Sequence, residues 1–258
     1  MTLSYYNVVL FNGRYMKRNE QQGIREYYRT FAILPVEILV IIIAFFISMI
    51  VFSYITWDIF MQKDVRFDGR VFNLLSPYVS DTNTKIMEFF TFFGSPIFLI
   101  IANLCLVGYY LFIKKNRWYS IRILAFAISS LLLLFWFKFF FNRPRPLVPL
   151  LKEVPGLSFP SGHAFMSFTF FGLMIYIVFK EIRNNLLKTL LIIGIFLLVV
   201  MIGLSRIYLR VHYASDVIAG YSLGMLSLVI SIVVLEGFKK FAVRKFSRFK
   251  EKKIKTVK

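Results

Sequence analysis

Three short stretches hold residues whose types and spacing suit chemistry. The first is Lys138-Phe-Phe-Phe-Asn-Arg-Pro-Arg145-Pro146, at the end of an apolar run. Pro144 and Pro146 stop a helix here, which puts Lys138 in its last turns and Arg145 in the loop beyond. A guanidinium fork and an ammonium point charge both suit phosphate oxygens. The second is Phe159-Pro160-Ser161-Gly162-His163, opening the next apolar run. Ser161 reads as an N-cap, so the unpaired N–H groups and positive dipole end of that helix favour an anion. Gly162 allows close backbone approach. Taken alone, this stretch is equally a helix cap with an incidental histidine. The third is Ser205-Arg206-Ile-Tyr-Leu-Arg-Val-His212-Tyr-Ala-Ser-Asp216. If a helix begins here, His212 and Asp216, four apart, share a face. A carboxylate accepting from one imidazole nitrogen fixes the tautomer and frees the other to attack. A simple helix-start ion pair explains that couple too, but not Arg206, nor why the other of the chain's two histidines opens a neighbouring run.

The elements that position these residues are set by composition. Of 258 residues, 58% are apolar or aromatic and 17% charged, with mean hydropathy +0.68. A soluble domain carries about 25% charged residues, so lipid is the solvent this chain is built for. Runs long enough to span a bilayer lie near 34–57, 93–113, 121–141, 162–180, 187–205 and 214–237. The expected architecture is all-α: a polytopic bundle of six transmembrane helices. A polar leader (1–33) precedes the six-helix domain (34–237), and a basic tail (238–258) follows. The leader is too long and polar before its first apolar run for a cleaved signal, so the first span reads as a retained anchor. The single cysteine, Cys105, excludes an intramolecular disulfide.

The net charge of +19 and pI near 10.1 divide along the chain. The leader carries Arg14, Lys17, Arg18, Arg25 and Arg29; the inner connections carry Lys114, Lys115, Arg117, Lys180, Arg183 and Lys188. The tail holds ten basic residues against Glu251. Between 58 and 92, acids outnumber bases. By the positive-inside rule both termini are cytoplasmic. Against that trend, Lys138, Arg143, Arg145, Lys152, Arg206 and Arg210 fall on the outer side with only Glu153 and Asp216 as acids. Snorkelling explains single members of this group; the whole set reads as an anion site at the membrane boundary. The basic tail matches anionic head groups or simple topology better than nucleic acid.

Taken in order, Lys-x6-Arg-Pro, Pro-Ser-Gly-His and Ser-Arg-x5-His-x3-Asp resemble the type 2 phosphatidic acid phosphatase superfamily over about residues 60–237. The run from Val211 to Gly220 looks most like bacterial members acting on phosphatidylglycerophosphate or undecaprenyl diphosphate. The resemblance implies that His212 attacks phosphorus and becomes a phosphohistidine, oriented by Asp216. It implies that His163 protonates the leaving oxygen and then activates water. Lys138, Arg145, Ser161, Gly162 and Arg206 would hold the phosphate oxygens. Arg143 and Arg210 match no defining position and read as contacts to a second phosphate or a head group. No metal ligand set stands out, and the scheme needs no cofactor. The implied partners are a lipid phosphate substrate and the bilayer, with no nucleic acid and no obligate protein partner. The implied location is the bacterial cytoplasmic (inner) membrane, with the site facing outward. The rival readings are a lipid phosphotransferase, a non-catalytic lipid-binding or transport protein, and a vanadate-dependent oxidant enzyme. Charged residues confined to span ends disfavour transport. The segment 84–93, rich in Phe, is expected to lie along the interface and gate entry, or simply to anchor there.

Overall fold

The computed structural model describes residues 39–146, 148–150 and 156–255, with side chains to 234. The leader, Lys152, Glu153 and the last three residues of the tail lie outside that set, as do the tail's side chains. Every regular element among the described residues is helical. The elements are α1 (Leu39–Gln62), α2 (Arg66–Leu75), α3 (Asp81–Phe93), α4 (Pro96–Gly108), α5 (Arg117–Phe141), α6 (Gly162–Glu181), α7 (Asn185–Tyr208) and α8 (Ala214–Lys255). The last turns of α1, Asp58–Gln62, and the continuation of α4, Tyr109–Ile113, are π-helical. Among the described residues, six stretches are long and apolar enough to cross a membrane, with α3 and α4 together forming the second. A first compact unit ends at Ile43, and its described residues, Leu39–Ile43, are exposed and apolar. The architecture below is that of the second unit, from Ala44.

Spans α6 and α8 are the most buried, and small residues let them meet. A Cβ on Gly220 would lie 2.9 Å from the Ser161 carbonyl oxygen and 3.0 Å from Ala164 Cβ. Close approach through glycine is how helices associate where lipid removes the hydrophobic drive. Polar groups inside the bundle find partners, as a medium without water requires. The Tyr221 hydroxyl donates to the Val199 carbonyl at 2.5 Å, joining α8 to α7. Ser130 and Ser227 hydroxyls meet at 3.4 Å between α5 and α8.

Caps place the helix ends. Ser80, Ser95, Asn116, Ser161 and Asn184 each accept from a backbone N–H in the first turn of the helix that follows. At the end of α5, Asn142 takes a left-handed conformation (φ 46°) and its N–H returns to the Lys138 carbonyl. Asparagine tolerates that geometry, and Pro144 prevents resumption. Lys138 therefore sits in the last turn and Arg145 in the connection, as their spacing indicated.

Two helical segments run further than their apolar runs alone implied. The 84–93 segment forms most of α3, packed along α7 and continued by α4 after a break at Gly94 and Ser95. Its Phe93 belongs to a cluster with Phe98, Leu99, Phe170 and Ile202, which holds it to the bundle. The sixth span, Ala214–Val234, ends close to where its apolar run does, but the helix that carries it, α8, continues to Lys255, because no proline or glycine follows Gly237.

Candidate active site

One end of the bundle gathers the three stretches. Lys138, Arg145, Gly162, His163, Arg206 and His212 all line a single cavity of about 810 Å³. They arrive from α5, the connection after it, the first turn of α6, the last turn of α7 and the loop before α8. Their separation in sequence is closed because α5 and α7 end where α6 and α8 begin.

His212 is 1% exposed. Its Nδ1 faces Asp216 Oδ2 at 3.5 Å and the Ser158 hydroxyl at 3.4 Å, while Nε2 faces Arg145 Nη1 at 3.4 Å. A proton on Nδ1 satisfies the acceptor side and leaves the Nε2 lone pair toward the cations. Burial pulls this imidazole down to about 4, against the opposing pull of Asp216, so the ring is neutral at neutral pH. Asp216 is fully buried and saturated. Its Oδ2 accepts from the Tyr213 N–H at 3.0 Å and from the Ser158 hydroxyl; its Oδ1 accepts from Arg143 Nη1 at 2.6 Å. The Tyr213 bond also caps the start of α8, so one carboxylate both orients the histidine and anchors the helix that carries it.

The cations are held by their own neighbours. Lys138 Nζ donates to the Leu157 carbonyl at 2.6 Å. Arg145 donates from Nε to the Gly156 carbonyl at 3.0 Å and from Nη1 to the Val211 carbonyl at 2.8 Å. Arg206 donates from Nη1 to the Thr91 hydroxyl at 2.6 Å, and its Nε is buried without a partner. Such an orphaned cationic donor beside a cavity is what a bound anion satisfies. Gly162 and His163 occupy the first turn of α6, whose leading N–H groups lack helical acceptors.

Not every expected contact faces the cavity. The Ser161 hydroxyl caps Ala164 N–H at 3.4 Å, and Ser161 is absent from the cavity lining. Arg143 is turned inward rather than toward a head group. It is 7% exposed, bridges Asp68 and Asp216, and lies 4.1 Å over the Tyr213 ring. Two carboxylates and a ring occupy its guanidinium, which explains the departure. Arg210 also stands off the cavity, with Nη2 3.5 Å from the Ser76 hydroxyl. Asp68 and Ser158 were not singled out from sequence. Neither has a spacing cue: Asp68 comes from α2 and Ser158 from an irregular connection. Among the described residues no three His, Cys, Asp or Glu side chains gather into a metal-sized cluster.

The rest of the cavity is apolar. It runs from the charged end between α4 and α5, along Leu99, Ile100, Leu104, Ile128 and Leu131. Its lining positions on α4 extend from Pro96 to Val107, about 16 Å at 1.5 Å per residue. An anion pocket thus opens into an apolar channel between two spans.

The sequence comparisons agree with this geometry. Residues 118–240 match the family model of the PAP2 superfamily, and this range contains all three stretches. Phosphatidylglycerophosphatase B of Bacillus subtilis (strain 168) is 28% identical over 172 residues, 65% of this chain and 79% of that protein. The fold is similar to the crystal structure of a transmembrane PAP2-type phosphatidylglycerolphosphate phosphatase from Bacillus subtilis. The TM-score is 0.65 at 24% identity, covering 75% of this chain and 94% of the other. A six-span helical bundle presents the three stretches at one end, within the region 118–240 that matches the PAP2 superfamily.

Proposed function

We propose that this protein is a lipid phosphatase that hydrolyses the phosphomonoester or diphosphate of a membrane lipid through a phosphohistidine at His212. The observation that carries the reading is the two-part cavity: cations and both histidines at one end, an apolar channel between α4 and α5 at the other. A lipid phosphate fits this division, with its head among Lys138, Arg145 and Arg206 and its tail in the channel.

In the first step Nε2 of His212 forms a bond to phosphorus as the bond to the lipid oxygen breaks, and His163 supplies the proton to that oxygen. The positive charge arising on the imidazole is stabilised by Asp216. In the second step His163 takes a proton from water, whose oxygen attacks phosphorus and returns His212 to its neutral form with release of inorganic phosphate. Charge on the equatorial oxygens is met by the three cations and the first N–H groups of α6. The scheme uses no metal.

Orientation follows from charge. Lys114, Lys115, Arg117, Lys180, Arg183 and Lys188 lie at the span ends opposite the cavity, which supports cytoplasmic termini and an outward-facing site. The match to the Bacillus phosphatidylglycerophosphatase supports a bacterial cell-membrane setting and makes phosphatidylglycerophosphate the first substrate to try. Purified protein in detergent, with a chelator throughout, is assayed for phosphate release from phosphatidylglycerophosphate, phosphatidic acid, polyprenyl diphosphate and lipid A phosphate. At least one should be hydrolysed, and His212→Ala should lose ~10³-fold or more. Full activity in a correctly folded His212→Ala variant, or none from wild type on all four lipids, would defeat the reading.

A further inference from the structure

Among the described residues, a buried charged cluster lies outside the cavity lining. Asp68, on α2, is 2% exposed. Its Oδ1 accepts from the Ser215 N–H at 2.9 Å; its Oδ2 accepts from the Ser215 hydroxyl at 2.7 Å and from Arg143 Nη2 at 2.9 Å. Arg143 then donates from Nη1 to Asp216 Oδ1 at 2.6 Å and to the Ser215 hydroxyl at 2.9 Å. Neither Asp68 nor Arg143 lines the cavity. Two carboxylates share one guanidinium, each taking one arm of the fork. Such an arrangement is costly to desolvate and stands only when its polar groups are paired, as both carboxylates and both guanidinium arms are here.

The geometry matters for Asp216. With Oδ1 pinned by Arg143, the carboxylate plane is set and Oδ2 is the oxygen left to face His212. Without Asp68, Arg143 would offset the negative charge that Asp216 presents to His212. Asp68 neutralises Arg143 in its place and fixes the far side of the fork. We infer that Asp68 and Arg143 are positioning residues for His212: Arg143 sets the orientation of Asp216, Asp68 neutralises and locks Arg143, and α2 is thereby part of the catalytic machinery. This rests on the role proposed for His212, but its geometric core does not depend on the substrate.

The two residues carry opposite charges, which gives a test that a purely structural role would not pass. The groups facing His212 directly are Asp216 from α8, Arg145 from the α5–α6 connection, Lys138 from α5, His163 from α6 and Arg206 from α7. None of these changes when Asp68 or Arg143 is replaced. Full-length protein with ring-labelled histidine, in a His163→Asn background that leaves one histidine, is titrated by NMR. Asp68→Asn should move the His212 midpoint down, since Arg143 is then unscreened, and Arg143→Gln should move it up, each by about one unit. In the His163 background both variants should lose about 10- to 100-fold in kcat with little change in KM. Should either fail to purify as monodisperse protein, Arg143→Lys, which keeps the charge and loses the fork, should show the same kcat loss. Shifts in the same direction, an unmoved midpoint, or full kcat in Arg143→Lys overturns the inference. Phosphate release by wild type is scored separately. Opposite shifts with no hydrolysis from wild type would sink the proposed activity and leave this inference standing; hydrolysis by wild type with unmoved midpoints would do the reverse.

Discussion

At His212, the nucleophile proposed above, burial and a carboxylate divide the work of preparing the ring. Burial keeps the ring neutral, and Asp216 and Ser158 hold Nδ1 so that Nε2 is the free nitrogen. The consequence for pH follows from the sign of the shift. In the proposed mechanism only the neutral ring attacks, and its midpoint lies near 4 instead of 6.5, so lowering the pH from 7 to 5 should leave it competent. Titration of the His212 ring signal should show no protonation until the pH approaches 4. A midpoint near 6.5 would mean that the ring is solvated. Ser158 contributes at the same scale, donating to Asp216 from the residue before Phe159. A lone serine in an irregular segment carries no spacing signal, which is why it escaped the reading of the three motifs.

At the level of elements, the site is a product of where helices stop. Asn142 and Pro144 end α5, Ser161 starts α6, and Asp216 caps α8 through the Tyr213 N–H. The Pro144 stop and the Ser161 cap were legible in the sequence, and they put Lys138, Arg145 and His163 where the structure has them relative to their helices; the Asn142 turn and the Asp216 cap were not. The α6–α8 contact was not legible, because it rests on a glycine whose importance lies in the neighbour opposite. The Ser161 N–H donates to the Asp216 carbonyl at 3.0 Å, and a side chain on Gly220 would push against the Ser161 carbonyl. Backbone gives way poorly, so Gly220→Ala should destabilise the fold by about 1–3 kcal/mol. Thermal unfolding in detergent, followed by the loss of monodisperse protein, checks this. A melting temperature equal to wild type would show that the two helices are free to separate.

Across the molecule, the apolar channel joins the membrane to the charged end. If it holds the substrate tail, filling it should discriminate substrates by tail length and leave the chemistry intact. Ala127 on α5 lines it. Ala127→Trp should reduce kcat/KM for a long-chain lipid phosphate by ~10-fold or more and leave a short, water-soluble phosphate ester within about threefold. Equal losses on both would place the tail elsewhere. The same channel gives the membrane context a function beyond anchoring. One end of the bundle carries connections rich in Lys and Arg, and the other carries the cations and histidines of the cavity.

The sequence by itself determined the class of solvent, the number of spans and the three stretches that form one site. Each depends on local properties: run length, capping residues, charge type and spacing. It also supported the PAP2 resemblance that the family match shows. Tertiary structure decided what is non-local. It turned Arg143 inward, because Asp68 from α2 and Asp216 from α8 meet there. It turned the Phe-rich segment into α3, because Phe93 packs into the core shared with α6 and α7. It also left Arg206 Nε without a partner beside an apolar channel. No spacing rule reaches across such separations, since a buried ion pair forms only when the helices carrying its members have already been packed together.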